Sequence, residues 1–331
     1  MLSFNHANLI ILCFTHQSAN IFAKLSTSDV LKLRTMAQDA FLYSYDSYLE
    51  HGYPFDEVLP ISCKYRHYDE RLRGTLDDVL GNYMLTLVDS LDSLLIMRKF
   101  DKFSEAMDKI SRISFATNTS VSVFETSIRV LGGLLSAHQL ACRLGDQTIY
   151  DGETLLNHAI NLADRLLPAF NTSTGIPLHR VNLLKGLIPG ESTATCTAAG
   201  ATFLLEMGLL SRLTGDAKYE IAAYKALKAI WERRSPLNLV GSLIDTHTGT
   251  WLTSHTGNGA GIDSFFETML KSSILLGEST LGEWFEEAYL AVEKHTRYQV
   301  SIDNDTHRCR GSTRRGIIKC TCIQRKSIYC R

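Results

Sequence analysis

The 331 residues carry little that would suit nucleic acid, lipid or phosphate chemistry. Lys and Arg nearly balance Asp and Glu, for a formal net charge of −1, so no electrostatic footprint for nucleic acid or an anionic membrane is present. No uninterrupted apolar run reaches the length of about 18 residues that a bilayer span needs. A nucleophile elbow, a P-loop, H-E-x-x-H and G-x-G-x-x-G are all missing, which removes the common hydrolase, nucleotide and zinc-protease chemistries. Prolines number only six, leaving long stretches free to be helical. Eight cysteines in so long a chain do not make a disulfide scaffold. Cys63, Cys142 and Cys196 are scattered singly, whereas Cys309, Cys320, Cys322 and Cys330 crowd the end.

The chain is 45% apolar and 21% charged, a globular composition sufficient for one large core or two ordinary domains. Residues 1–23 have a short apolar core, Leu9 to Phe14, followed by Ser18, Ala19 and Ala23, and read as a signal peptide lacking a basic n-region. A buried first helix is the other reading. Three N-x-S/T acceptors, Asn118, Asn171 and Asn304, are compatible with a lumenal chain.

From residue 27 to 297 the periodicity is helical. Phe124, Ile128, Leu131 and Leu135 share one helix face, and Phe265, Met269, Ser272 and Leu276 repeat the spacing. Gly, Pro and Asn cluster between such runs, at 171–177, 186–192 and 256–261. The pieces within 239–253 read as a hairpin in a loop. About eight to ten helices and no βαβ rhythm give an all-α class. Four apolar helices, at 85–97, 122–135, 198–216 and 261–276, each carry carboxylates; amphipathic helices such as 152–170 and 217–234 lie between them. That alternation suits an α/α toroid, an inner ring pointing its acids into a central pit and an outer ring facing solvent. A helical solenoid would need a constant period, which is absent.

Glu125 and Arg129 lie one helical turn apart in an apolar run. The plain reading is a buried i, i+4 ion pair. Gly132, Gly133 and Ser136 share that side of the helix, leaving room for a ligand or for another backbone. Asp263 and Glu267 form a like-charged i, i+4 pair, and Phe265, Phe266 and Met269 argue that it is buried. Asp89 and Asp92 sit among apolar residues, with Asp89 equally able to cap a helix; Glu206 has no basic neighbour before Arg212. Acids on four apolar helices facing one centre are what glycoside hydrolysis uses, one as acid, one as base, and others holding hydroxyls or a divalent cation.

The stretches "GTLDDVLGNYMLTLVDSLDSLLIM", "SVFETSIRVLGGLLSAH", "VNLLKGLIPGESTATCTAAGATFLLEMGLLSRLTGD" and "GAGIDSFFETMLKSSILLGE" resemble glycoside hydrolase family 47, the class I α-1,2-mannosidases. "YDSYLEHGYPFDEVLPISC" and "PGESTATCTAAG" are most similar to the ER degradation-enhancing α-mannosidase-like subfamily. The resemblance runs from about Ala37 to Arg297 and implies an (α/α)7 barrel, incomplete at its C-terminal side where the last inner helices have no counterpart, in the endoplasmic reticulum lumen. It also implies calcium-dependent, inverting removal of α-1,2-linked mannose from N-glycans of misfolded glycoproteins, with an oxidoreductase as a further partner. By motif, Glu125 would be the general acid, direct or through water, and Arg129 would orient or tune it. Asp263 would be the second acid/base, while Glu267, Glu206 and Asp89 would line the sugar subsite.

Departures from the family accompany these matches. The "RPE" motif, which supplies another glutamate, and the late "TE" motif, whose threonine binds calcium, have no counterpart, so weak or absent activity is expected. Cys63 is similar to a family cysteine whose disulfide partner lies in that missing region. Residues 298–331 carry eight Lys/Arg against two acids, show no helical stripe or trusted zinc spacing, and read as an irregular basic tail. A mannose-binding lectin-like receptor that uses the same pocket without turnover is the alternative function. Ion-paired scaffolding with no site is a third.

Overall fold

A computed structural model describes residues 25–68, 78–146 and 148–296, together with the backbone of 299–303, 308–313 and 316–320. Residues 1–23, Asn304, Cys322 and Cys330 therefore lie outside the described residues.

Helix α1, Thr27–His51, starts at a reciprocal cap. Ser26 Oγ accepts from the Asp29 N–H at 3.1 Å, and Asp29 Oδ2 accepts from the Ser26 N–H at 3.0 Å. A hairpin, β1 Glu57–Leu59 with β2 Lys64–Arg66, leads to the short helices α2 Leu85–Asp89 and α3 Leu91–Ile96. They are followed by α4, Phe100–Ile110, whose Phe103, Ala106 and Ile110 are buried at i, i+3, i+7.

Strand β3, Ser120–Ser122, turns directly into α5, Val123–Glu125. The helix widens to a π turn at Thr126–Leu131 and continues as α6, Gly132–Leu144. Helix α7, Thr154–Leu166, buries Leu155, Ala159, Leu162 and Leu166 along one stripe. Then come β4 Arg180–Asn182, β5 Ala194–Cys196, α8 Thr197–Ala201, α9 Leu204–Thr214 and α10 Lys218–Trp231. The hairpin β6 Leu243–Asp245 with β7 Trp251–Thr253 precedes α11, Asp263–Leu276, and α12, Ser279–Thr296.

Contacts among these helices sort them into two rows. Helices α3, α6, α9 and α11 touch in sequence as an inner row; each packs outward on the helix that follows it, α4, α7, α10 and α12 respectively. Inner helices pack against neighbours on more than one side, which is why their apolar faces are broad. The expected alternation of inner and outer helices, and the hairpin within 239–253, are both present. Breaks at Ser90 and at Thr202–Phe203 split two inner helices, so the helical segments outnumber the eight to ten expected. No helix among the described residues is long and apolar enough to cross a membrane.

The small residues after Arg129 have partners. A Cβ on Gly133 would stand 3.1 Å from the Val88 carbonyl oxygen, so α6 approaches α2 backbone to backbone there. Ser136 Oγ donates to Asp92 Oδ2 at 2.8 Å. Of the two options left open for this surface, close approach of another backbone is the one realised. Gly133→Val is expected to destabilise the fold by about 1–3 kcal/mol in urea unfolding, because backbone cannot yield to the added methyls. An unchanged midpoint would contradict the close crossing.

The tail differs from the irregular segment expected. Strands β8 Gln299–Asp303, β9 Arg308–Thr313 and β10 Gly316–Cys320 pair as an antiparallel meander in the order β8–β9–β10. "QVSID" alternates apolar and polar residues, a period-2 pattern short enough to escape a search for helical stripes.

Candidate active site

Glu125 owes its position to the strand-to-helix junction. Ser122 Oγ accepts from the Glu125 N–H at 3.2 Å and caps α5, while β3 is held by β4 through the pairs Ser120↔Asn182 and Ser122↔Arg180. Arg129 Nε donates to Glu125 Oε2 at 2.8 Å, and Arg129 Nη1 stands 4.0 Å from Asp89 Oδ2. One guanidinium thus bridges acids from two inner-row helices. Glu125 Oε1 has no hydrogen bond among the described residues.

The ion pair is real, but it is not sealed. The Arg129 side chain is 40% exposed, Glu125 22% and Asp89 47%, so water reaches all three and a polar ligand has access. Partial burial disfavours the Arg129 charge, yet Glu125, Asp89 and Glu57 outweigh it and hold the guanidinium above its usual range. The π turn begins at the residue after Glu125. Such turns leave the regular i→i−4 ladder and occur frequently at functional sites. No composition signal in "TSIRVL" announces it.

Glu206, in the first turn of α9, lies against Gly132; a Cβ there would be 3.6 Å from Glu206 Cγ. The residue is partly exposed, but its Oε2 is sealed and has no hydrogen-bond partner in the described structure. Burial pushes the carboxyl up to about 7, against a smaller opposing pull from its own backbone N–H and from Lys271. At neutral pH it therefore keeps its proton far more readily than an ordinary glutamate.

Asp263 and Glu267 are not buried, and the expectation drawn from the neighbouring aromatics is corrected. Phe265 and Met269 fill one face of α11, fully buried, and the acids project from the other. Asp263 Oδ1 accepts from the Ser264 N–H at 3.0 Å. Glu267 Oε2 accepts from Lys271 Nζ at 2.7 Å, a cation one turn on that compensates its charge. Asp263 still heads a helix tied to the site's neighbourhood. Ser264 Oγ stands 2.9 Å from Thr202 Oγ1, and α8 packs against both α11 and the Val123–Glu125 turn.

The structure thus brings Glu125, Arg129 and Asp89 together, sets Glu206 against the same helix, and leaves Asp263 and Glu267 on an open face of the neighbouring one. Asp78 was missed by sequence reading. It pairs with His179 Nε2 at 3.3 Å and with Arg180 beside the β3–β4 junction. Burial disfavours its charge, but the hydrogen bond from His179 and the charge of Arg180 outweigh the penalty and hold its carboxyl below the usual range. Only its place in the fold, far from His179 in sequence, reveals it.

Calcium finds no ready cage here. Among the described residues no three His, Cys, Asp or Glu side chains gather to hold a metal, and one oxygen of Glu267 is taken by Lys271. The residues present do not fit the ion, so no step is routed through it. Cys63, Cys142 and Cys196 are free thiols, in keeping with a Cys63 whose family disulfide partner has no counterpart here.

Residues 40–319 match the family described as glycosyl hydrolase family 47, a range that runs past Arg297 into the strand meander. The chain is 42% identical over 282 residues to the human ER degradation-enhancing alpha-mannosidase-like protein 3, covering 82% of this chain and 30% of that protein. It is 40% identical over 294 residues to the Schizosaccharomyces pombe ER degradation-enhancing alpha-mannosidase-like protein 1, covering 87% and 37%. With alpha-mannosidase I MNS4 of Arabidopsis thaliana it shares 44% identity over 261 residues, covering 78% and 40%. The chain therefore spans well under half the length of these relatives. An alpha-1,2-mannosidase from Trichoderma reesei superposes with a TM-score of 0.72 at 24% identity, over 86% of this chain and 59% of that one, which fixes the fold as all-α of the (α/α)7 barrel type.

Proposed function

The chain belongs to glycosyl hydrolase family 47, and on that premise we propose that it hydrolyses α-1,2-linked mannose from high-mannose N-glycans of misfolded glycoproteins in the endoplasmic reticulum lumen. The observation that carries the reading is Glu125, capped at a strand-to-helix junction, held through one oxygen by Arg129, and followed at once by a π turn.

With Oε2 fixed by Arg129, the unbonded Oε1 is the atom that passes a proton to the glycosidic oxygen, directly or through one water. Asp263 takes the proton of the attacking water on the opposite face of the sugar, giving inversion; in such pairs the carboxyls stand about 6.5–9.5 Å apart. Glu206, whose carboxyl burial holds well above the usual range, can donate to or accept from a sugar hydroxyl through Oε1, while its sealed Oε2 stays out of contact with the ligand. Asp89 and Glu267 hold further hydroxyls. Calcium dependence belongs to this proposal as a property to be measured, by mannose release with and without a chelator.

A second reading draws on the open α11 face. With Glu267 tied to Lys271, the chain would bind mannose glycans without turning them over. Glycan binding that survives Glu125→Gln, with no mannose released by either form, would favour it.

The lumenal placement makes a separate prediction. Asn171 is exposed just after the 3-10 turn Leu167–Phe170, whereas the Asn118 side-chain oxygen is occupied by Asn182 Nδ2 at 3.1 Å. Expression in a secretory cell line is expected to give a glycosidase-sensitive mobility shift that Asn171→Gln removes. A chain unshifted at both asparagines would contradict the compartment. The exposed Cys63 thiol is where an oxidoreductase of that compartment would act.

A further inference from the structure

Asp56 is fully buried, yet it is none of the acids discussed above. It lies between α1 and β1, in "YPFDE", and its partners come from some 25 residues later. Oδ2 accepts from the N–H groups of Gly81 at 3.0 Å and Asn82 at 2.7 Å; Oδ1 accepts from Tyr83 at 2.9 Å and Leu85 at 3.2 Å. Its own carbonyl accepts from the Thr86 N–H at 3.0 Å and Thr86 Oγ1 at 2.7 Å.

The turn it holds has Asn82 and Met84 at φ 57° and 55°, in the left-handed region. Such a turn points successive N–H groups to one side, where they converge on an anion. Buried without an acceptor, each donor would carry a desolvation cost, so the turn and the carboxylate require one another.

The clasp fixes more than a loop. Tyr83, inside it, places its hydroxyl 3.4 Å from Thr126 Oγ1, at the first residue of the π turn behind Glu125. Helix α2, which starts from it, ends at Asp89, 4.0 Å from Arg129. Glu57, the next residue along the chain, adds its charge to the field on Arg129. Through Tyr83 and through α2, one buried carboxylate therefore reaches the π turn behind Glu125 and the Asp89 beside Arg129.

We propose that Asp56 is a positioning residue for the Glu125–Arg129 pair: by clasping residues 81–85 it locks Tyr83 and α2 against the π turn, so that Arg129 is held between Glu125 and Asp89. The functional consequence rests on the reading of Glu125 as the acid; the geometry does not. Asparagine cannot replace the aspartate, because its amide nitrogen would face two N–H donors where an acceptor oxygen now stands.

The test follows the Arg129 Nε–H resonance of the labelled chain, assigned by its loss in Arg129→Lys. In Asp56→Asn its exchange with water is expected to quicken about tenfold, the protection of one charge-assisted hydrogen bond, while the amides of Leu227 and Ile230 in α10 stay protected. If Asp56→Asn loses protection everywhere, Tyr83→Phe carries the test, and the same resonance is expected to exchange several-fold faster in an otherwise protected fold. Unchanged Arg129 exchange beside deprotected amides at 81–85, or unchanged exchange in Tyr83→Phe, would overturn the proposal and leave Asp56 a loop clasp alone. An unprotected Arg129 Nε–H in the unmodified chain would overturn it too. Failure of mannose release, by contrast, would sink the enzymatic reading and not this one.

Discussion

Glu125→Gln is expected to lower mannose release from a high-mannose glycan by about 10²–10⁴-fold, the usual worth of a positioned proton donor. Glutamine keeps the length of the side chain and an oxygen for Arg129 Nε, so the bond that spans the helical turn can persist. The cap from Ser122 acts on the backbone N–H and is untouched. What disappears is the proton that Oε1 would deliver. The thermal midpoint should therefore move little and glycan binding should stay within a few-fold, while release collapses. Were Glu125 only scaffolding, the variant would lose stability and activity together, and alanine at the position would unfold the chain. Release that continues at the original rate in a folded Glu125→Gln chain would remove Glu125 from the chemistry.

Glu206→Gln is expected to make the chain more stable, and only above a defined pH. An unfolded glutamate titrates near 4.5, whereas in the fold Glu206 titrates near 7 because burial disfavours its charge. Between those values the folded state keeps a proton that the unfolded state has released. The contribution of Glu206 to stability is thus greatest below pH 4.5, falls as pH rises through the window, and levels off above 7. At 1.36 kcal/mol per pH unit the loss amounts to about 3 kcal/mol. Glutamine is neutral throughout and removes it. Denaturant unfolding at pH 8 should show the variant more stable by that amount, converging with the unmodified chain at pH 4. A gain independent of pH, or a loss at pH 8, would show that Glu206 is satisfied by a partner or by water. A carboxyl kept at this cost to stability is expected where a ligand will use it, so weaker glycan binding should accompany the gain.

The two-row architecture was legible because covered helices and half-covered helices have different compositions. Helix α9 buries Leu204, Met207, Gly208, Leu210 and Ser211 over a broad face, whereas α7 confines Leu155, Ala159, Leu162 and Leu166 to a narrower stripe. Glu125 and Arg129 were legible for a similar reason, being charges in an apolar run at helical spacing. The orientation of α11 was not. Phe265, Phe266 and Met269 were read as burying the whole helix, but Asp263, Glu267 and Lys271 recur every fourth residue and form a charged stripe opposite Phe265 and Met269. Counting the period of the charges as well as that of the apolar residues would have separated the faces, and Lys271 would have emerged as the partner of Glu267.

Other features have no local signal. The π turn at Thr126–Leu131 contains ordinary helix residues and packs against α2, α7 and α9, none of them adjacent to it in sequence. Asp56 reads as a surface acid between Phe55 and Glu57, since its four N–H partners follow about 25 residues later. Asp78 meets His179 and Arg180 across about a hundred positions. Long-range hydrogen bonds of this kind are invisible to periodicity, which reports only which face of an element is covered.

The central claim is that Glu125 protonates an α-1,2-mannosidic oxygen in a site that inverts the sugar. Its most direct test is proton NMR of a Man-α-1,2-Man-terminated N-glycan incubated with the chain, with and without added calcium, watching the anomeric signal of the first mannose released. The account predicts β-mannose appearing before mutarotation, and none with Glu125→Gln. Release of α-mannose first, release that survives Glu125→Gln, or an intact glycan after prolonged incubation would contradict it.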